Sequence, residues 1–155
     1  MNSDTVEIIE YKDEYKEFFV SLNRAWITRY FKIESVDEKV FANPKAEIVE
    51  KGGFIFFALV NGIVAGTVSL LKINATEYAY ELAKLAVDEK YQGFGLGKRL
   101  CIAAIKKAKV LSPKKIYLES NTKLKPAISL YRKLGFSEIK GIKPMFDWVD
   151  IQMQL

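Results

Sequence analysis

Apolar and polar positions alternate along this chain with two different periods, and the places where the period changes mark out the elements. "TVEIIEY" (5–11) alternates with a period of two and predicts a first strand. Over 12–31 the period lengthens: Phe18, Phe19, Leu22, Ala25, Trp26, Arg29 and Tyr30 recur at three- and four-residue steps, as on one face of a helix. "ESVDEKVFANP" predicts a short second helix that stops before Pro44, and "PKAEIVEKGG" adds a helical turn closed by Gly52 and Gly53. "FIFFALV" and "IVAGTVSLL" then flank Asn61-Gly62, and Asn-Gly between two β-rich runs is a strong hairpin signal.

"YAYELAKLAV" (78–87) predicts a further strand, and Leu96 to Val110 a helix with Leu100, Cys101, Ala104, Ile105 and Ala108 on one face. Ser112-Pro113 breaks the chain before a short strand over 114–120. "KLKPAISLYRKLGF" predicts a helix with Pro126 in its first turn and Gly135 at its end. Two strands follow, around Ser137–Ile139 and Trp148–Leu155. The order is β-α-α-β-β-β-α-β-α-β-β. Consecutive strands in the middle imply antiparallel pairing, and the later β-α-β passage needs a parallel crossover. The expectation is a mixed α/β fold: a mostly antiparallel sheet of about seven strands flanked by about four helices, in a single domain over 1–155.

Composition narrows the chemistry. With 155 residues, half of them apolar and 28% charged, the chain has the make-up of one globular domain with a sizeable core. The longest apolar stretches are strand-sized, so no transmembrane helix is expected. The acidic start "MNSDTVEIIEYKDEY" has no apolar run of the kind a signal peptide needs, and a cytoplasmic location is the default. The net charge of +5 is modest and comes without a recognition-module motif, so neither nucleic acid nor membrane is expected as a partner. The lysines concentrated at 106–115 read as a solvated face or as attraction for an anionic ligand. There is no histidine and only one cysteine. That removes Ser-His-Asp and Cys-His catalysis, an internal disulfide and the usual metal sites; no metal is expected. Acid–base work falls to carboxylates, Tyr, Lys, Cys or water.

The loop "VDEKYQGFGLGKRL" (87–100) joins a strand to a helix and carries Gly93, Gly95 and Gly97. A helix start has unpaired amides and a favourable dipole, so such a loop can cradle phosphate. The G-x-x-x-x-G-K-[ST] template fails twice here, and G-x-G-x-x-G fails because its third glycine would fall on Lys98 or Leu100. The pattern [Q/R]-x-x-G-x-[G/A] is met by Gln92, Gly95 and Gly97. A tight turn with no ligand is the competing reading.

In its setting, "ELAKLAVDEKYQGFGLG" resembles the acyl-CoA-binding segment of the GNAT superfamily of N-acetyltransferases, and "LESNTKLKPAISLYRKLGF" is similar to that superfamily's Asn…Ala…Leu-Tyr…Gly-Phe segment. The resemblance covers residues 53–139, and "RAWITRYF" and "DIQMQL" resemble a bacterial branch whose substrates are poorly defined. It implies acetyl-CoA as co-substrate. The amides of Gln92, Gly93, Phe94, Gly95, Leu96, Gly97 and Lys98 would grip its diphosphate. The backbone of Leu85, Ala86 and Val87 would pair with the pantetheine arm in a splay between strands, with Asn121 hydrogen-bonded to the cofactor. A homodimer is possible by the same analogy.

Transfer of an acetyl group to an amine needs a base, because an alkylammonium is mostly protonated at neutral pH, and an acid for the departing thiolate. The resemblance points to Glu81 as base, directly or through water, and to Tyr131 as acid. Strict alternation would put Glu81, Ala83, Leu85 and Val87 on one strand face. The alternatives are a structural glutamate and a core aromatic. Cys101 falls on the apolar face of its helix with no histidine to activate it, so no acyl-enzyme is expected.

The acceptor, expected to be a small-molecule amine, would be held by Trp26, Arg29, Tyr30 and Phe146, with Arg24 and Phe31 as further candidates. Trp148 stands where the branch carries an arginine, which speaks against a carboxylate-bearing acceptor and favours a flatter, more apolar or aromatic pocket. A peptide or protein acceptor and a non-catalytic acyl-CoA sensor are the alternatives.

Overall fold

The computed structural model describes residues 3–155. Seven strands form one sheet: β1 (Val6–Glu10), β2 (Phe54–Val60), β3 (Ile63–Lys72), β4 (Tyr78–Val87), β5 (Lys115–Ser120), β6 (Ser137–Ile139) and β7 (Ile151–Gln154). Four α-helices, α1 (Lys16–Tyr30), α2 (Ser35–Ala42), α3 (Leu96–Leu111) and α4 (Lys125–Lys133), accompany it. The spatial order is β1-β2-β3-β4-β5-β7-β6, and among the described residues only β4 and β5 run parallel. The mixed, mostly antiparallel sheet read from the pattern is what the chain forms.

Local chemistry accounts for the turns. Asn61 and Gly62 both have positive φ (52° and 81°), as the β2–β3 hairpin requires, and the Asn61 side chain accepts the Thr5 amide and donates to Asp4. Helix α4 has proline in its first turn, and its last carbonyls are met by the Gly135 and Phe136 amides. The turn expected after Pro44 is a wide one over Lys45–Val49, closed by the Glu50 amide on Lys45.

Strand β2 shows why the apolar run "FIFFALV" is continuous. Phe56, Ala58 and Val60 pack beneath α3, while Ile55, Phe57 and Leu59 pack against Phe19, Ile27 and Phe41 from α1 and α2. A strand buried on both faces has no polar side to alternate with. Two features depart from the periodic reading. The final strand starts at Ile151 instead of Trp148, because the Asp150 amide binds Ser120 and its carboxylate holds Thr122, which leaves 140–150 as a loop. Strand β4 carries a bulge: Ser69 pairs with Ala83 and Thr67 with Ala86, so Val68 alone spans Lys84 and Leu85.

Candidate active site

The bulge reverses the expected facing of β4. Tyr80 and Leu82 lie in the core under α3, so Glu81 between them points to the α1/α2 side. After the bulge, Leu85 and Val87 also pack on the α3 side, and a Cβ on Gly97 would lie 4.0 Å from Leu85 Cδ2. Glu81 therefore does not share a face with Leu85 and Val87, contrary to strict alternation. The extra residue, Lys84, takes φ +54° and absorbs the change of phase.

Strands β4 and β5 pair from Tyr78–Lys115 to Leu82–Leu118 and then part. Residues 83–87 keep β3 on one edge and, among the described residues, have no strand on the other, while β5 runs on to Ser120 beside β7. A cavity of about 1080 Å³ passes through this gap. Glu81, Lys84 and Glu119 line it from one face of the sheet; Leu85, Leu130 and Tyr131 line it from the other. The two candidate proton-transfer groups thus reach the gap from opposite sides.

At the end of the gap nearest α3 lies the glycine loop. Gly93 and Gly95 have φ of 89° and 69°, a conformation that turns successive amides toward one side and that residues with a Cβ rarely adopt. Among the described residues, none of the amides from Gly93 to Lys98 has an acceptor in the protein; the first satisfied amide of the helix is that of Arg99, on the Gly95 carbonyl. A Cβ at Gly93 or Gly95 would meet nothing within 4 Å, so the loop is open on that side. Gln92, Gly93, Gly95, Leu96, Gly97 and Lys98 line the cavity. These features fit a diphosphate held by main-chain hydrogens and the helix dipole.

Three residues expected at the cofactor do not line the cavity; for Phe94 and Ala86 the expected contact runs through the main chain, which the placement of their side chains leaves open. Phe94 packs edge-on to Tyr91 at 5.9 Å and is not part of the lining. Ala86 is buried. Asn121 lies outside the lining: its amide donates to the Trp148 carbonyl at 2.5 Å and its Oδ1 accepts the Lys123 amide at 2.8 Å. It staples the last loop to the end of β5.

Burial pushes the Glu81 carboxyl up to about 8; the negative Glu119 adds to the shift and the Lys84 ammonium opposes it. Glu119 is itself held by the Tyr117 hydroxyl at 2.6 Å and by Gln152 Nε2 at 3.3 Å. Burial, first, and the Glu119 hydrogen bond and charge raise the Tyr117 phenol well above its usual range. Tyr131 is 8% exposed and its phenol is raised by burial, so it keeps its proton at working pH. Cys101 is fully buried and its thiol is pushed up to about 12, which leaves it without thiolate for nucleophilic work.

Helix α1 and the 140–150 loop bring the expected acceptor residues together. Trp26 meets Trp148 at 5.8 Å and Phe31 at 6.0 Å, Phe31 stacks on Trp148 at 4.9 Å, and Phe146 lies 5.7 Å from Trp148. Trp26, Tyr30, Phe146 and Trp148 line the cavity. Arg29 also lines it, but its guanidinium is paired with Glu89. Arg24 pairs with Glu38 and lies over the Phe41 ring, outside the lining. Sequence periodicity did not single out Glu119, Tyr117, Gln152, Lys84 or Asn23. Asn23 is 1% exposed, lines the cavity, and its Oδ1 has no hydrogen-bond partner among the described residues. Only the strand register, which makes Glu81 and Tyr117 neighbours, shows the first three.

The chain matches the Acetyltransferase (GNAT) family over residues 11–136. It belongs to that family. It is 31% identical over 115 residues to an N-alpha-acetyltransferase of Sulfurisphaera tokodaii, covering 74% of this chain and 67% of that one. Its fold is similar to that of a GNAT acetyltransferase from Staphylococcus aureus Mu50, with a TM-score of 0.86 and 26% identity over 97% of this chain and 98% of that one. The YncA acetyltransferase fold from Salmonella typhimurium, solved with its cofactor acetyl-CoA, is similar at TM-score 0.74 and 20% identity, covering 97% of this chain and 93% of that one. Among the described residues no helix of this GNAT acetyltransferase is long and apolar enough to cross a membrane.

Proposed function

We infer that this acetyltransferase moves an acetyl group from acetyl-CoA to the primary amine of a small-molecule acceptor by direct attack on the thioester. The observation that carries this reading is the run of unpartnered amides from Gly93 to Lys98 at the mouth of a gap flanked by Glu81 and Tyr131.

Acetyl-CoA supplies the activated acyl group when bound. The amides of 93–98 hold the diphosphate, and the free edge of residues 83–87 offers main-chain partners to the amide-bearing pantetheine arm. Glu81 takes the proton of the incoming ammonium, and a carboxyl raised to about 8 is well matched to an alkylamine at neutral pH. The amine nitrogen forms a bond to the carbonyl carbon as the carbon–sulfur bond breaks; the Tyr131 hydroxyl gives its proton to the leaving sulfur, the acylated nitrogen sheds its second proton to water in the open cavity, and water returns one to the Tyr131 phenolate. The aromatic wall around Trp148 favours an acceptor with an apolar or aromatic body.

The test is calorimetry with acetyl-CoA, followed by thiol release across a panel of small amines with and without a carboxylate. Saturable binding and turnover on at least one amine are expected; no heat of binding overturns the reading. A second reading, acetylation of a peptide N-terminus, is favoured by the name of the Sulfurisphaera tokodaii relative. Adding short peptides to the panel separates the two by kcat/KM.

A further inference from the structure

Three parts of the site converge on Lys84. Had β4 kept its pleat, Lys84 would share the face of Leu82 and project into the apolar core under α3. The left-handed turn at φ +54° sends its side chain to the opposite face instead. There its ammonium lies 2.8 Å from Asp37 Oδ1, with the two side chains only 11% and 3% exposed. Asp37 is also fixed at the start of α2, where its Oδ2 accepts the Glu34 amide at 3.0 Å. The same ammonium stands 5.5 Å from the Phe41 ring and 5.7 Å from the Phe146 ring. Phe146 in turn touches Trp148, and Trp148 touches Trp26.

We propose that Lys84 is a positioning residue for the acceptor: its ammonium, clamped by Asp37 and covered by Phe146, ties α2 and the last loop to the bulged strand and so sets the aromatic wall. The assignment rests on the acetyltransferase reading above for its purpose, although the clamp itself does not. An exposed ion pair could do little of this, because solvent and side-chain motion would dilute it. A buried pair cannot lose one member without leaving a charge unmet, so its geometry is tightly held. The glycine loop lies outside the clamp's contacts, and the clamp is made by the Lys84 side chain, whereas the pantetheine arm is offered only the main chain of 83–87.

The two tryptophans of the protein, Trp26 and Trp148, both stand in the wall, so their fluorescence reports its order directly. The full chain is compared with Lys84→Met, Lys84→Arg and the double variant Lys84→Met/Asp37→Asn, which removes the unpaired carboxylate. Thermal melting, tryptophan emission, acrylamide quenching and acetyl-CoA affinity are measured. Lys84→Met alone is expected to melt earlier, and the double variant to recover most of that loss. The double variant should still show red-shifted emission and about twofold stronger quenching, while Lys84→Arg stays near the wild type. Acetyl-CoA affinity should change by much less than tenfold, because the substitutions alter side chains and the pantetheine arm meets the main chain of 83–87. Wild-type emission and quenching in the double variant overturn the proposal. So does a loss of about tenfold in acetyl-CoA affinity, ~1.4 kcal/mol, which would make Lys84 part of the cofactor slot. If the wild type binds no acetyl-CoA, the functional reading fails while the fluorescence comparison still decides the clamp.

Discussion

Glu81 and Tyr117 are register partners on the parallel strands β4 and β5, one step before the strands part at Leu82–Leu118. That adjacency puts Glu81 beside the Tyr117–Glu119–Gln152 network and gives its carboxyl a negative neighbour as well as a dry setting. A base must be unprotonated to act, so kcat/KM should rise with pH through about 8. Glu81→Gln should lower kcat by about 10²-fold or more and flatten that limb. Glu119→Gln removes the second cause of the shift and should move the limb to lower pH. A pH–rate profile of the three proteins checks all of this.

The same carboxyl makes folding pH-dependent. Its folded value, about 8, lies above its ordinary 4.5, so between these values the native state binds more protons than the unfolded chain. The stability it contributes is complete below 4.5 and is lost as pH rises through about 8. The slope approaches ~1.4 kcal/mol per pH unit within the window. Urea denaturation across that window should show the decline in the wild type and a flatter profile in Glu81→Gln.

Tyr131 reaches the gap from the α4 side, buried against Phe136 at 6.0 Å. Tyr131→Phe keeps the ring and its packing and deletes only the hydroxyl. It should lower kcat by about 10²-fold and leave the calorimetric affinity for acetyl-CoA nearly unchanged. Equal loss in affinity and rate would assign the hydroxyl to binding.

Gly95 precedes α3 at φ +69°, and a methyl group on its Cα would have nothing within 4 Å. The penalty in Gly95→Ala is therefore one of backbone conformation, about 1 kcal/mol, and not of steric overlap. A lower melting temperature and weaker acetyl-CoA binding are expected together, because the amides that turn toward the ligand would have to relax. Calorimetry and thermal melting measure the two effects.

Asn121 joins the end of β5 to the Trp148 carbonyl. Asn121→Ala frees the loop that carries Phe146 and Trp148, with a stability cost of about 1 kcal/mol for each hydrogen bond lost. It should raise the KM for an amine acceptor and spare acetyl-CoA affinity; the reverse pattern would return Asn121 to the cofactor site.

The periodic positions of α1, α3 and α4, the Asn61-Gly62 turn and the strand-to-helix glycine loop were legible because each depends on neighbours within a few residues. Side-chain spacing, turn conformation and helix starts are local properties, and the residues that satisfy them stand next to one another in the chain. Trp26, Tyr30 and Phe146 could be named as acceptor candidates, but their meeting with Trp148 depends on Asp150 and Asn121 holding a loop that alternation alone would read as strand. That Glu81 faces away from Leu85 and Val87 was decided by the bulge at Lys84, whose ammonium pairs with Asp37, 47 residues away. The chain by itself determined the elements, their order and the glycine turn. Which side chains face one another across the gap was left to the tertiary structure, because a slip of one residue in strand pairing exchanges every face beyond it.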